Sequence, residues 1–242
     1  MFNRFVQIGS RPALSYRGIL MRANPTLHVE AFKKLATVVG VGASVVDVGA
    51  GQGAFSQRLQ DSGFHVVSVD VNVLDFKAKD IDYVQVDFNS EKDISDFKDR
   101  YAGKFDASIG MEVIEHVENP WEYIRFLSQL VKPGGIIFIT TPNIESAMSK
   151  IQFLFTNEHA HFSCGDYNDS GHINPLTLLE FKIICKNAGL TMMESGGLCM
   201  VPKFILSRNI PVCLYSVVNV FFGWAFGASA NKDILYVILK KE

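Results

Sequence analysis

Two short stretches hold the chain's clearest chemical options. In VVDVGAGQGAF (residues 45–55) an apolar strand runs into a turn containing Gly49, Gly51 and Gly53, and HVVSVD (65–70) ends on Asp70, about 21 residues beyond Gly49. A glycine turn lets the backbone approach a ligand closely, and the helix N-terminus behind it favours a negative group. A carboxylate at that separation can accept hydrogen bonds from ribose hydroxyls. Together they point to a nucleoside-bearing ligand. Taken alone, Gly49, Gly51 and Ala54 also satisfy the dinucleotide pattern GxGxxG/A, and a turn needed only for tight strand-to-helix packing stays open. Asp70 and Asp87 could each be a solvated strand end or a helix cap, but both fall at the same strand edge as the turn.

The elements that must position these residues alternate. PTLHVEAFKKLATVV (25–39) has helical spacing, SVVDVG is a buried strand, and AFSQRLQDSG is a helix closing at Gly63. HVVSVD (65–70), DYVQVD (82–87), FDASIG (105–110) and GIIFITT (135–141) read as strands, with a helix over PWEYIRFLSQLV (120–131). Residues 144–174 read as a loop, Pro175–Ala188 as a helix, Thr191–Ser195 as a strand, and DILYVILK (233–240) as a last strand. Strict alternation predicts an α/β, doubly wound Rossmann-like domain with a mostly parallel seven-stranded sheet and an antiparallel last strand. One domain over 1–242 is expected: a helical lead (1–42), a ligand-binding core (43–143) and a lid side (144–242).

The motifs VVDVGAGQGAF, VVSVDVN, VQVDF, FDASIGMEVIEHVENP and LVKPGGIIFITTPN, in that order, resemble the class I S-adenosylmethionine-dependent methyltransferases. The similarity is greatest to the type-11 and type-23 groups that include the ubiquinone-biosynthesis O-methyltransferases. It spans about Ala43 to Asn143 and continues more weakly through GHINPLTLLEFKIICKNAGL (171–190). The resemblance implies S-adenosylmethionine as cofactor. Asp47, Gly49, Gly51 and Gly53 would shape the site for its methionine end, Asp70 would bind the ribose, Asp87 with Phe88 would sit beside the adenine, and Ala50 and Val71 would also be cofactor-binding. Met111 would line the pocket near the sulfonium, and Arg22 would meet the carboxylate.

Methyl transfer from a sulfonium is an in-line displacement, so the protein mainly aligns the nucleophile and excludes water. A hydroxyl nucleophile also needs a base, and histidine suits that task. His159, His161 and His172 lie in NEHAHFSCGDYNDSGHINP (157–175), after the fifth strand, where the chain could cover the ligand as a lid. His161 or His159 is the candidate base, and His172 either joins it or anchors the loop. His28 and His65 read as surface or core residues. In EVIEHV, Glu112, Glu115 and His116 would share a face if the segment is helical. The resemblance associates that cluster with a divalent cation; a packing motif with solvated acids is the alternative.

The expected reaction is transfer of a methyl group to an oxygen of a small-molecule or lipid-linked acceptor. The alternatives are an NAD-dependent oxidoreductase or a catalytically silent methyltransferase-like binding module. The formal net charge of -2 gives no general attraction to nucleic acid, so no nucleic-acid partner is expected. Cys164, Cys185, Cys199 and Cys213 form no CxxC pair, which fits a reducing compartment. With Arg4, Arg11 and Pro12 interrupting the first residues, a cytoplasmic protein is expected. An apolar insertion over 204–230, with Phe204, Phe221, Phe222, Trp224 and Phe226, reads as a buried cap, an apolar substrate wall or a peripheral membrane contact.

Overall fold

The computed structural model describes residues 15–23, 26–88, 90–200 and 231–242. A small hairpin, β1 (Ser15–Tyr16) and β2 (Ile19–Leu20), leads into α1 (Leu27–Leu35). Then come β3 (Ser44–Val48), α2 (Ala54–Asp61), β4 (His65–Asp70), β5 (Asp82–Gln85), α3 (Glu91–Tyr101) and β6 (Phe105–Met111). The chain continues through α4 (Pro120–Leu130), β7 (Val131–Pro142), α5 (Ala147–Thr156), α6 (Cys164–Ser170) and α7 (Leu178–Asn187). It ends with β8 (Leu190–Met200) and β9 (Lys232–Lys241).

The seven-stranded sheet has the order β5-β4-β3-β6-β7-β9-β8. All pairs from β5 to β7 are parallel, and β9 is antiparallel to both of its neighbours. The doubly wound sheet expected from the sequence is therefore present, with its reversed last strand second from the edge. The strand order turns back between β3 and β6, and such a switch point opens a crevice at the carboxyl ends of the strands.

Strand periodicity builds the two sides of the core. Val46 and Val48 of β3, Ile137 and Ile139 of β7, and Leu235, Val237 and Leu239 of β9 pack with α4 and α7 on one face. Val45, Phe138, Ile234, Tyr236 and Ile238 pack with α1 and α2 on the other. Asn119 fixes the start of α4: its Oδ1 accepts from Trp121 N at 3.1 Å and Glu122 N at 3.2 Å, with Pro120 in the first turn. Such a cap contributes about 1 kcal/mol.

Several segments differ from the sequence reading. Residues 144–174 hold two helices, α5 and α6. Ser146 caps α5 through Ser149 N, and Ser163 with Asp166 closes a capping box on α6. The helix expected from Pro175 begins at Leu178, because Thr177 rather than the proline supplies its cap. EVIEHV is a tight turn, since Glu112 has φ +53°, outside helical backbone, and His116 N bonds Val113 O at 2.9 Å. Helix α3, whose polar sequence hides its single buried side chain, Phe97, escaped the periodicity reading. No helix among the described residues is long and apolar enough to cross a membrane. The expectations for residues 204–230 lie outside the described residues.

Candidate active site

One cavity of about 730 Å3 opens at the switch point. Its first wall is the glycine turn between β3 and α2. Gly49 has φ +83°, and a Cβ there would sit 2.3 Å from Val113 Cγ2, so the turn and the motif after β6 approach as closely as only glycine permits. Gly49 N and Ala50 N donate to Val69 O at 2.8 and 3.0 Å, and Gly51 N donates to Asp70 Oδ2 at 2.8 Å. Asp70 therefore serves the turn and the cavity at once. Its other oxygen accepts from Asn72 N at 3.1 Å.

Asp47, Ala50, Val71, Phe88, Met111 and Arg22 also line this cavity. Asp47 is 2% exposed and accepts a hydrogen bond from Ser56 Oγ at 2.6 Å. Burial pushes its carboxyl up to about 6, against the pull of that bond. Arg22 is ion-paired with Asp75, which also accepts from Gln52 Nε2 at 3.0 Å. Gly53 and Asp87 are not among the lining residues. Gly53 caps α2 with φ +86°, and Asp87 N donates to Asp93 Oδ2 at 3.2 Å at the entry to α3.

A second wall gathers titratable groups from distant parts of the chain. Glu112, Glu115, His116, His161, His172 and Asp233 all face the cavity. His161 Nε2 donates to Asp233 Oδ1 at 3.0 Å. That bond raises the His161 pKa against the opposing effect of its burial. With Nε2–H committed to the carboxylate, Nδ1 of the neutral ring carries a lone pair. Glu112 Oε1 accepts from Thr140 Oγ1 at 2.8 Å, and desolvation pushes its carboxyl up to about 7. Glu115 is 0% exposed; its Oε2 accepts from Thr141 Oγ1 at 3.1 Å, and desolvation, with Glu112 nearby, drives its pKa well up.

The lid histidines separate. His159 is not a lining residue: its ring stacks on Phe153 at 4.6 Å and its Nδ1 lies 3.0 Å from Ser149 Oγ, tying the chain to α5. His172 Nδ1 donates to His161 O at 2.7 Å, so His172 both ties residues 161–172 together and lines the cavity.

Among the lining residues that were not candidates in the sequence, three stand out. Asp233 opens β9, 72 residues from the histidine it meets, and no local pattern marks it. Gln52 sits inside the quoted turn, at a position its glycine spacing leaves unspecified. His28, read as a surface or core residue, lines the cavity from α1 and is 7% exposed, edge-on to Phe55 at 5.4 Å. Burial lowers its pKa to about 4.

A glycine turn and a strand-end aspartate thus meet on one cavity at the switch point of this reversed-strand sheet. The "Methyltransferase domain" family matches residues 21–195, and the chain belongs to that family. It is an S-adenosylmethionine-dependent methyltransferase. The ubiquinone biosynthesis O-methyltransferase of Xanthomonas axonopodis pv. citri is 31% identical over 166 residues, covering 66% of this chain and 68% of the relative. That of Coxiella burnetii is 28% identical, covering 71% and 74%. Among solved structures, an S-adenosylmethionine-dependent methyltransferase from Mesorhizobium loti shares the fold with a TM-score of 0.59 at 14% identity, over 90% of this chain and 99% of that one. One from Archaeoglobus fulgidus has a TM-score of 0.56 at 17% identity, over 89% and 93%.

Proposed function

We propose that the enzyme methylates a hydroxyl oxygen of a small or lipid-linked aromatic acceptor, such as a quinone precursor. The observation that carries this reading is the His161–Asp233 pair, on the same cavity as the glycine turn. An oxygen nucleophile begins protonated, and His161 Nδ1 offers the lone pair that takes its proton while Asp233 holds the ring and favours the imidazolium formed. Asp47 and the Gly49–Gly51 turn hold the methionine end of the cofactor, with Arg22 near its carboxylate, and Asp70 with Val71 receives the ribose. Met111, another lining residue, sits near the sulfonium on this reading, and Phe88 borders the adenine. The relatives named for ubiquinone biosynthesis support the acceptor class.

The test is to incubate the enzyme with S-adenosylmethionine and, in parallel, hydroxylated aromatics with and without a prenyl chain, then locate the added methyl by mass spectrometry and NMR. Methylation at oxygen, preferring the prenylated compounds, is expected. Methyl transfer to nitrogen or carbon instead would overturn the choice of atom. Equal rates with and without the chain would overturn the lipid-linked acceptor.

A further inference from the structure

The resemblance puts a divalent cation on Glu112, Glu115 and His116, and the structure disagrees with that set. Glu112 takes positive φ and turns its carboxylate to Thr140 Oγ1. The His/Cys/Asp/Glu groups able to hold a metal among the described residues leave it out. Glu115, His116 and His172 take its place, with ligand atoms that all lie within 4.8 Å of one another.

We infer that Glu115, His116 and His172 form a site for a divalent transition-metal ion, built jointly by the turn after β6 and the end of the lid. Three features of the site point to a cation. Glu115 is fully buried and its Oε1 has no hydrogen-bond partner, while His116 Nε2 lies 3.9 Å from it. An orphaned buried carboxylate oxygen is costly unless a positive group meets it. Both imidazoles are also oriented as ligands. His116 Nδ1 is 3.3 Å from Gly171 O and His172 Nδ1 is 2.7 Å from His161 O. A carbonyl oxygen only accepts, so each Nδ1 carries the proton and each Nε2 keeps its lone pair.

The backbone holds the two halves together before any ion arrives. Ile173 N and Asn174 N donate to Glu115 O at 2.9 and 3.1 Å, and Asn174 Nδ2 donates to Val117 O. His172 is thus presented at the turn by the lid's own hydrogen bonds. Two imidazole nitrogens and one carboxylate oxygen suit zinc, cobalt, iron or manganese, whereas magnesium prefers an all-oxygen shell. All three residues face the cavity, so an ion held there would be reached from it.

The test measures metal binding, not methyl transfer, so it stands apart from the choice of acceptor. Purified protein is freed of metal with a chelator, then titrated with Co2+, Zn2+ and Mg2+, following cobalt absorption and competition with a chromophoric chelator. The wild type is compared with His172→Ala, His116→Ala and Glu112→Gln, each checked for folding by circular dichroism and S-adenosylhomocysteine binding. The expected result is Co2+ and Zn2+ binding much tighter than Mg2+, weakened by more than about 100-fold in either histidine variant. That exceeds the roughly 10–100-fold usual for an outer-shell change. Glu112→Gln should stay within about threefold of the wild type. Loss of binding in Glu112→Gln with retention in His172→Ala would restore the ligand set the resemblance implies and overturn ours. Absence of Co2+ and Zn2+ binding in folded wild type would overturn the site altogether.

Discussion

The two walls of the cavity are built in opposite ways. The wall we propose for the cofactor comes from one β-turn-α unit and the next strand end, so that Asp47, Gly49, Gly51 and Asp70 span residues 47–70 and are held by short local bonds such as Gly51 N to Asp70 Oδ2 at 2.8 Å. The wall we propose for the acceptor joins the turn after β6, the segment after β7 and the start of β9, and its central pair, His161 and Asp233, is 72 residues apart. The first wall is thus set by neighbouring residues, and the second depends on how distant segments of the chain pack.

If the walls are separable, each variant should damage one step and spare the other. The largest effect is expected for His161→Ala, with kcat lowered about 10²–10⁴-fold, the usual loss for a general base. Its affinity for S-adenosylhomocysteine, read by calorimetry, should stay within about twofold. Comparable loss of both would break the distinction. Gly49→Val should do the reverse. Its side chain meets Val113, and φ +83° strains any residue with a Cβ, by about 1–3 kcal/mol. Cofactor affinity should fall by more than about tenfold, with a lowered Tm.

A smaller effect sharpens the comparison by pH. Asp47 keeps its proton up to about 6 because it is buried. Its carboxylate, the form that would attract the cofactor's ammonium group on the proposed reading, therefore grows as pH rises through 6. Affinity for S-adenosylhomocysteine should rise from pH 5 to pH 7 by up to about tenfold, the worth of one ion-pair hydrogen bond. Asp47→Asn should flatten that rise.

The smallest effect lies outside both walls, at the amino edge of the sheet. Lys132 Nζ bonds Asp106 Oδ1 at 2.6 Å and Ser44 N bonds its Oδ2 at 2.8 Å, holding the Asp106 carboxyl down at about 2. A carboxyl depressed in the folded state contributes stability that is present above its unfolded value, near 3.9, and lost as pH falls toward 2. Asp106→Asn should shallow the acid limb of a urea-unfolding series between pH 4 and pH 2 while leaving methyl transfer unchanged.

The same contrast explains what the sequence disclosed. Strand-helix alternation, β-branched runs and the Gly49–Asp70 separation are short-range signals, and they made the parallel sheet, the reversed last strand and the meeting of the glycine turn with Asp70 on one cavity legible. Asp87 fell on the right strand edge, but β5 stops at Gln85 and its backbone turns toward α3. Helix α6 was hidden because its seven residues, CGDYNDS, bury no side chain and lean on a capping box between Ser163 and Asp166, not on apolar periodicity. Glu112 looked like a partner of Glu115 and His116 by helical spacing, and one residue with positive φ undid that spacing. Asp233 and His172 reach their partners only through tertiary structure, so no window of sequence could pair them.

The central claim is that the glycine turn and Asp70 form an S-adenosylmethionine site that works independently of the acceptor wall. Calorimetric titration of the wild type, Asp70→Ala and His161→Ala with S-adenosylhomocysteine, with NAD as the control, tests it most directly. The account predicts binding by the wild type and His161→Ala alike, a loss of about 10–100-fold in Asp70→Ala, as for a hydrogen-bonded charge, and no heat with NAD. Unchanged binding in Asp70→Ala, or tighter binding of NAD than of the sulfur nucleotide, would contradict it.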